Sequence, residues 1–140
     1  MQVVKDVVSD RERRQAQKFA ASRGRLAQCE AKLQELQGYH DSYHQGLAQR
    51  MAQGISIANL RDYQAFLAKL ADAVRQQTDI VTRARVESDA QRRQWQGTAQ
   101  RVKIIDKVIE RRATQERRIE DRRDQRDTDE RALHASRRAD

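Results

Sequence analysis

In the stretch LQGYHDSYHQGL, Leu36 to Leu47, two of the chain's three histidines, His40 and His44, stand four residues apart. Two of its six aromatic residues, Tyr39 and Tyr43, do the same. On a helix that spacing puts each pair on one face. Two imidazoles so placed are half of a zinc site, and two phenols are the start of a stacking or hydrogen-bonding surface. Zinc takes three or four protein ligands. Asp41 would lie about 100° around the helix from His40, Cys29 roughly three turns away, and His134 far along the chain. The ligand count falls short. No metal is expected, and His40 reads as a polar seam residue with His44 on the surface.

Other chemistry finds no foothold. The sequence has no glycine-rich phosphate loop, no nucleophile elbow and no metal-binding helix motif. The expectation is no enzyme activity, no cofactor and no small-molecule substrate.

Composition describes what carries these residues. The 140 residues are 36% charged, with five glycines, no proline and a mean hydropathy of -1.04. A compact domain of this size normally has more apolar residues, whereas a helical coil needs one apolar stripe per helix. The net charge of +8 and the pI of about 10.2 raise nucleic acid as a partner. Acids interrupt every basic run, however, and the tail beyond about residue 111 has no aromatic side chain for base stacking, so no specific nucleic acid is expected. The lone Cys29 cannot close an internal disulfide and fits a reducing compartment. No apolar run approaches the roughly 20 residues of a membrane span, and MQVVKDVVSD lacks the apolar core of a secretory signal.

Apolar residues at 3-4 spacing form two seams. The first runs Phe19, Ser22, Leu26, Cys29, Leu33, Leu36, His40, Tyr43, Leu47. The second runs from Leu60 through Tyr63, Leu67, Leu70, Val74, Gln77 and Val81 to Trp95, Val102, Ile105 and Ile109 without a skip. This is the coiled-coil signal. Between the seams, QGISIANLRD offers Gly54 to stop one helix and Asn59 to cap the next. The fold expected is all-α: a long antiparallel two-helix coiled-coil hairpin with an unpaired C-terminal helical extension, in one domain. Helix 1 covers about 3–53, the tip 54–58, helix 2 about 59–131, and a frayed tail 132–140.

A fold-back near residue 56 makes partners sum to about 112. Phe19 then falls beside Trp95, and Leu36 opposite Gln77 and Val74. Val3, Val4, Val7 and Val8 fall beside Ile104, Ile105 and Val108. Ser22 and Gly24 face Ser88 and Gln91, where the hairpin is expected to be soft. Beyond about residue 111 the first helix is used up. There, opposite charges at four-residue spacing, such as Arg112/Glu116 and Arg123/Asp127, are expected to support an exposed helix.

Tyr43 lies on the seam, but Tyr39, Phe66 and Ala73 lie one position off it, where coiled coils usually carry charge. Apolar side chains there mean a widened core or a binding face, and periodicity alone leaves both open.

Three blocks, CEAKLQELQGYHDSYHQGL, NLRDYQAFLAKLADAV and EDRRDQRDTDERA, resemble the flagellar export protein FliJ family in order and spacing over most of residues 25–132. The injectisome stalk proteins share the architecture and are the alternative. The resemblance implies a non-enzymatic stalk with chaperone functions, cytoplasmic, and held at the inner membrane of the flagellar base through its partners. Those implied partners are the flagellar export ATPase ring, the cytoplasmic domain of the export gate protein FlhA, and flagellar export chaperones. The family's gate-binding patch maps onto Lys32, Leu36, Tyr39, Tyr43, Phe66, Leu70, Ala73 and Gln77, which favours the binding-face reading. Arg111, Arg112, Arg117 and Arg118 are the expected contacts to an acidic rim of the ATPase. The hairpin, saturating its own seam, is expected to be a monomer in isolation.

Overall fold

The computed structural model describes residues 2–139, and two helices account for nearly all of them: α1, Gln2–Gln53, and α2, Ile57–Ala139. No strand occurs among the described residues. Contacts divide the chain into two compact units, Arg13–Gln96 and the residues up to Glu12 together with those from Gly97 onward. Each helix runs unbroken through both.

In the Arg13–Gln96 unit the chain turns in three residues. Gly54 adopts φ 96°, the left-handed conformation that costs other residues a steric clash, and its N–H donates to the Met51 carbonyl at 3.4 Å. The next helix starts two residues earlier than the sequence suggested. Its cap is Ser56, not Asn59: the Ser56 hydroxyl accepts from the Asn59 N–H at 3.2 Å, and the Ser56 carbonyl accepts the Leu60 N–H at 3.0 Å. Asn59 is the third helical residue, where its own N–H is one of the donors a cap must satisfy.

The two seams pack as the 3-4 spacing predicts. Every member of both is buried or half-buried except Tyr43, which is 42% exposed. Phe19 stacks on Trp95, centroids 5.8 Å apart. Leu47 and Val81 are the buried aliphatics. The remaining buried positions, Ser22, Gln77 and Ser88, are polar, and among the described residues no buried side-chain polar atom lacks a partner. The Gln15 amide donates to the Gln91 side chain at 2.6 Å, and the Gln77 amide donates to the Cys29 carbonyl at 3.0 Å. Ser22 and Ser88, in the layer expected to be soft, are among the most buried side chains, 1% and 5% exposed. The Ser22 hydroxyl donates to the Phe19 carbonyl at 2.7 Å, so this small polar layer is closed and satisfied.

In the other unit the seam continues through Lys5 and Val8 on α1 and Thr98, Val102, Ile105 and Ile109 on α2. Lys5 Nζ pairs with Asp106 Oδ1 at 2.9 Å. Of the four valines expected against α2, only Val8 is half-buried; Val3, Val4 and Val7 are 74%, 50% and 46% exposed. A helix can turn only one stripe toward a partner, and here Lys5 and Val8 occupy it.

Past Ala113 every described residue of α2 is exposed, and the helix carries on to Ala139, through the segment 132–139 where fraying was expected. The expected four-residue ion pairs do not form: none of the ten arginines of residues 111–139 pairs with a carboxylate among the described residues. Each such pair has the arginine N-terminal to the acid, the less favourable order on a helix. The extension is held by helix propensity and backbone hydrogen bonding. Thr114 and Thr128 hydroxyls add bonds to the Glu110 and Asp124 carbonyls at 3.0 and 2.8 Å.

Candidate functional site

The eight residues of the implied gate-binding patch all belong to the Arg13–Gln96 unit, but they do not form one surface. Tyr43 and Phe66 meet across the hairpin edge-to-face, centroids 4.7 Å apart at 69°. Both stay substantially exposed, at 42% and 41%. Tyr63 joins them at 6.4 Å from Tyr43, with the Arg50 guanidinium over its other side at 5.3 Å. Tyr43, Asp62, Tyr63 and Phe66 line a shallow, mainly apolar cleft. The sequence left core and binding face as alternatives for these rings. In the structure Tyr43 packs edge-to-face with Phe66 and still presents much of its surface to water.

Tyr39 stands one helical turn from Tyr43, 51% exposed, and its hydroxyl donates to Glu35 Oε1 at 3.2 Å. That bond, and the carboxylate's charge, push the phenol's pKa above its ordinary value. Lys32 is exposed, and Leu36, Leu70 and Ala73 are half-buried along the seam. Gln77 is different. It is 5% exposed and its amide is committed to the Cys29 carbonyl, so its side chain serves the seam and not the surface. Periodicity gave the warning, because Gln77 is a seam position while Tyr39 and Phe66 are not.

Sequence reasoning missed Tyr63, Arg50 and Asp62 as neighbours of the aromatic cluster. Tyr63 looked like one more seam residue. Its ring is long enough to pass the seam and reach the rim, which spacing cannot show.

His40 and His44 stack with centroids 6.2 Å apart and nearly parallel planes. His40 Nδ1 lies 3.6 Å from Asp41 Oδ1. Among the described residues no three His, Cys, Asp or Glu side chains converge to hold a metal ion. His40 and Asp41 line a second shallow cleft with Gln37, Ala71, Val74 and Arg75, on which the Asp72–Arg75 ion pair borders.

The arginines expected to meet the ATPase, Arg111, Arg112, Arg117 and Arg118, lie on the exposed extension in the other unit. Lys107, Glu110, Arg111, Thr114, Gln115 and Arg118 share one open helical surface there. Arg112 and Arg117 lie off it on opposite sides: at about 100° per residue, Arg117 is about 100° from Arg118 and Arg112 about 100° from Arg111.

The family model described as "Flagellar FliJ protein" matches residues 1–140, the whole chain. The chain belongs to the FliJ family. No curated protein and no solved structure matches it. FliJ proteins are non-catalytic components of the flagellar export apparatus, and this FliJ-family chain is a flagellar export apparatus component. None of the helices among its described residues is long and apolar enough to cross a membrane.

Proposed function

We propose that this protein is a non-enzymatic stalk that binds and stimulates the flagellar export ATPase ring and couples it to the export gate protein FlhA. The observation that carries the reading is the exposed aromatic group beside the hairpin tip. Tyr39, Tyr43 and Phe66 keep 51%, 42% and 41% of their surface in water, in a chain otherwise poor in aromatics. Rings held rigid by neighbours and left half-exposed are what protein interfaces use as anchors, because they bury much area at small entropic cost.

The roles divide along the chain. Tyr39, Tyr43 and Phe66 anchor the gate protein's cytoplasmic domain, with Lys32, Leu36, Leu70 and Ala73 around them. Gln77 supports the seam beneath. The end carrying Val3, Val4, Val7 and the arginines 111, 112, 117 and 118 meets the ATPase, whose acidic rim the guanidiniums would pair. The stalk adds no chemical group to ATP hydrolysis. It acts by binding some states of the ring better than others, which shifts their populations. Flagellar export chaperones are further partners. The protein works in the cytoplasm, brought to the inner membrane through these partners, and is a monomer on its own.

The test is binding of wild type, Tyr39→Ala and Tyr39→Ala/Tyr43→Ala to the cytoplasmic domain of the cognate gate protein, with helicity followed by circular dichroism. Loss of binding with the helix intact is expected. A wild type that does not bind refutes the gate reading. Charge reversal of the four arginines is expected to abolish ATPase stimulation, and undiminished stimulation would overturn that assignment.

A further inference from the structure

The exposed extension of α2 is not evenly charged around its axis. At about 100° per residue, Arg111, Arg112, Arg118, Arg122, Arg123, Arg126 and Arg137 fall within an arc of about 140°. Among the described residues only two acids, Asp129 and Glu130, share that arc. Ile119 and Leu133 lie inside it, 51% and 57% exposed. The rest of the circumference holds Glu116, Glu120, Asp121, Asp124 and Asp127 with Arg117, Arg131 and Arg138. Seven cations less two anions leave one face at +5, and three less five leave the other at -2.

Two further observations bear on what this face is for. Residues 111–139 contain ten arginines and no lysine, although the chain has lysines elsewhere, such as Lys103 and Lys107. Arginine's planar fork matches phosphate oxygens in pairs and is only weakly hydrated, which suits it to a desolvating anionic surface. None of these guanidiniums is neutralised by a carboxylate of the extension, as described above.

We propose that the arginine face of the extension lies on an anionic lipid surface. The helix would rest parallel to the membrane with its acids turned to water. Its guanidiniums would reach the headgroup phosphates, while their methylene stems, with Ile119 and Leu133, settle at the boundary of the acyl region. A cluster of four to eight basic side chains on one helical face is what binding to such lipids requires. A flat anionic sheet meets the whole row, which from Arg111 to Arg137 spans about 39 Å. A nucleic-acid duplex curves away from a helix of that length and offers no site for the two aliphatics.

The proposal shares Arg111, Arg112 and Arg118 with the ATPase assignment and is tested on Arg122, Arg123 and Arg126, which that assignment does not use. The experiment is co-sedimentation of the full chain with vesicles of phosphatidylcholine alone and with about 40% phosphatidylglycerol, at about 0.1 M salt. Binding to the phosphatidylglycerol vesicles only is expected. Arg122→Glu/Arg123→Glu/Arg126→Glu should weaken it about tenfold or more. Arg117→Glu/Arg131→Glu/Arg138→Glu changes the net charge equally but on the other face, and should weaken it about twofold at most. Circular dichroism checks that both triple variants remain helical. Equal losses in the two variants overturn the proposal, because net charge and not the face would then govern. So does absence of binding to phosphatidylglycerol vesicles, or tighter binding to duplex DNA at matched phosphate concentration.

Discussion

Phe19 on α1 and Trp95 on α2 stack across the hairpin with ring centroids 5.8 Å apart and planes 25° apart, and the Arg23 guanidinium sits 5.7 Å from the Phe19 ring. Trp95 is the only tryptophan, so its fluorescence reports on the surroundings of this contact. Phe19→Ala is expected to lower stability by about 2–3 kcal/mol, below the range for a fully enclosed aromatic because both rings are half-buried. A double-mutant cycle with Trp95→Ala, read by circular dichroism, should give a coupling of about 0.5–1.5 kcal/mol. Additive losses would show that the rings do not support each other.

The register rests on polar contacts as well as rings. Gln77→Leu removes the bond to the Cys29 carbonyl and adds an aliphatic to the seam. A polar group at a seam position specifies pairing at some cost in stability. The variant is expected to melt at a higher temperature and to show a concentration-dependent dimer by light scattering, where the parent is proposed to be a monomer. A variant that is stabilised and still monomeric would deny Gln77 a role in specifying the hairpin.

The turn gives a sharper pair. Ser56→Ala should cost about 1 kcal/mol, because it orphans the Asn59 N–H. Asn59→Ala should change stability by less than about 0.5 kcal/mol, since only its backbone takes part. Chemical denaturation of the two variants decides which residue caps α2.

Much of this fold was legible in the sequence because a coiled coil writes itself as spacing. The seam from Leu60 to Ile109 needed only the period, and the Phe19–Trp95 contact only a fold-back point. What spacing could not supply was local competition between neighbouring residues. Ser56 and Asn59 are both good caps, and the choice depends on where Gly54 releases the chain. Val3, Val4, Val7 and Val8 read as one apolar cluster, yet the helix gives the seam to Lys5 and Val8. The arginine–acid pairs had the right distance along the chain and the wrong order. At the candidate site, the seam marked Tyr43 and the flank marked Tyr39 and Phe66. The reach of the Tyr63 ring to Arg50, and the place of Asp62 beside the cluster, lay beyond that reasoning.

Tyr39 offers a titration. Its phenol is held above its ordinary value first by the hydrogen bond to Glu35 and then by that carboxylate's charge. Glu35→Gln should bring the Tyr39 transition down toward 10 in an absorbance titration. A phenol with a raised folded pKa contributes to the fold below its unfolded value and ceases to do so as pH climbs through the folded one. Any loss of helix traceable to Tyr39 therefore belongs above pH 10, and Tyr39→Phe should abolish it. Helix loss at neutral pH would contradict this sign.

The three-residue turn at Gly54 to Ser56 fixes the order in which the chain can close. Tyr43 and Tyr63 are 20 residues apart, Glu30 and Arg85 55, Gln15 and Gln91 76, and Lys5 and Asp106 101. Each contact made nearer the turn shortens the loop that the next must close, so the entropy of pairing is spread over many small steps. A chain of this kind folds as a zip, with local contacts first and the Lys5–Asp106 pair last. Opening runs the other way. Amide exchange should be slowest where α1 and α2 pair close to the turn and fastest at the two chain ends.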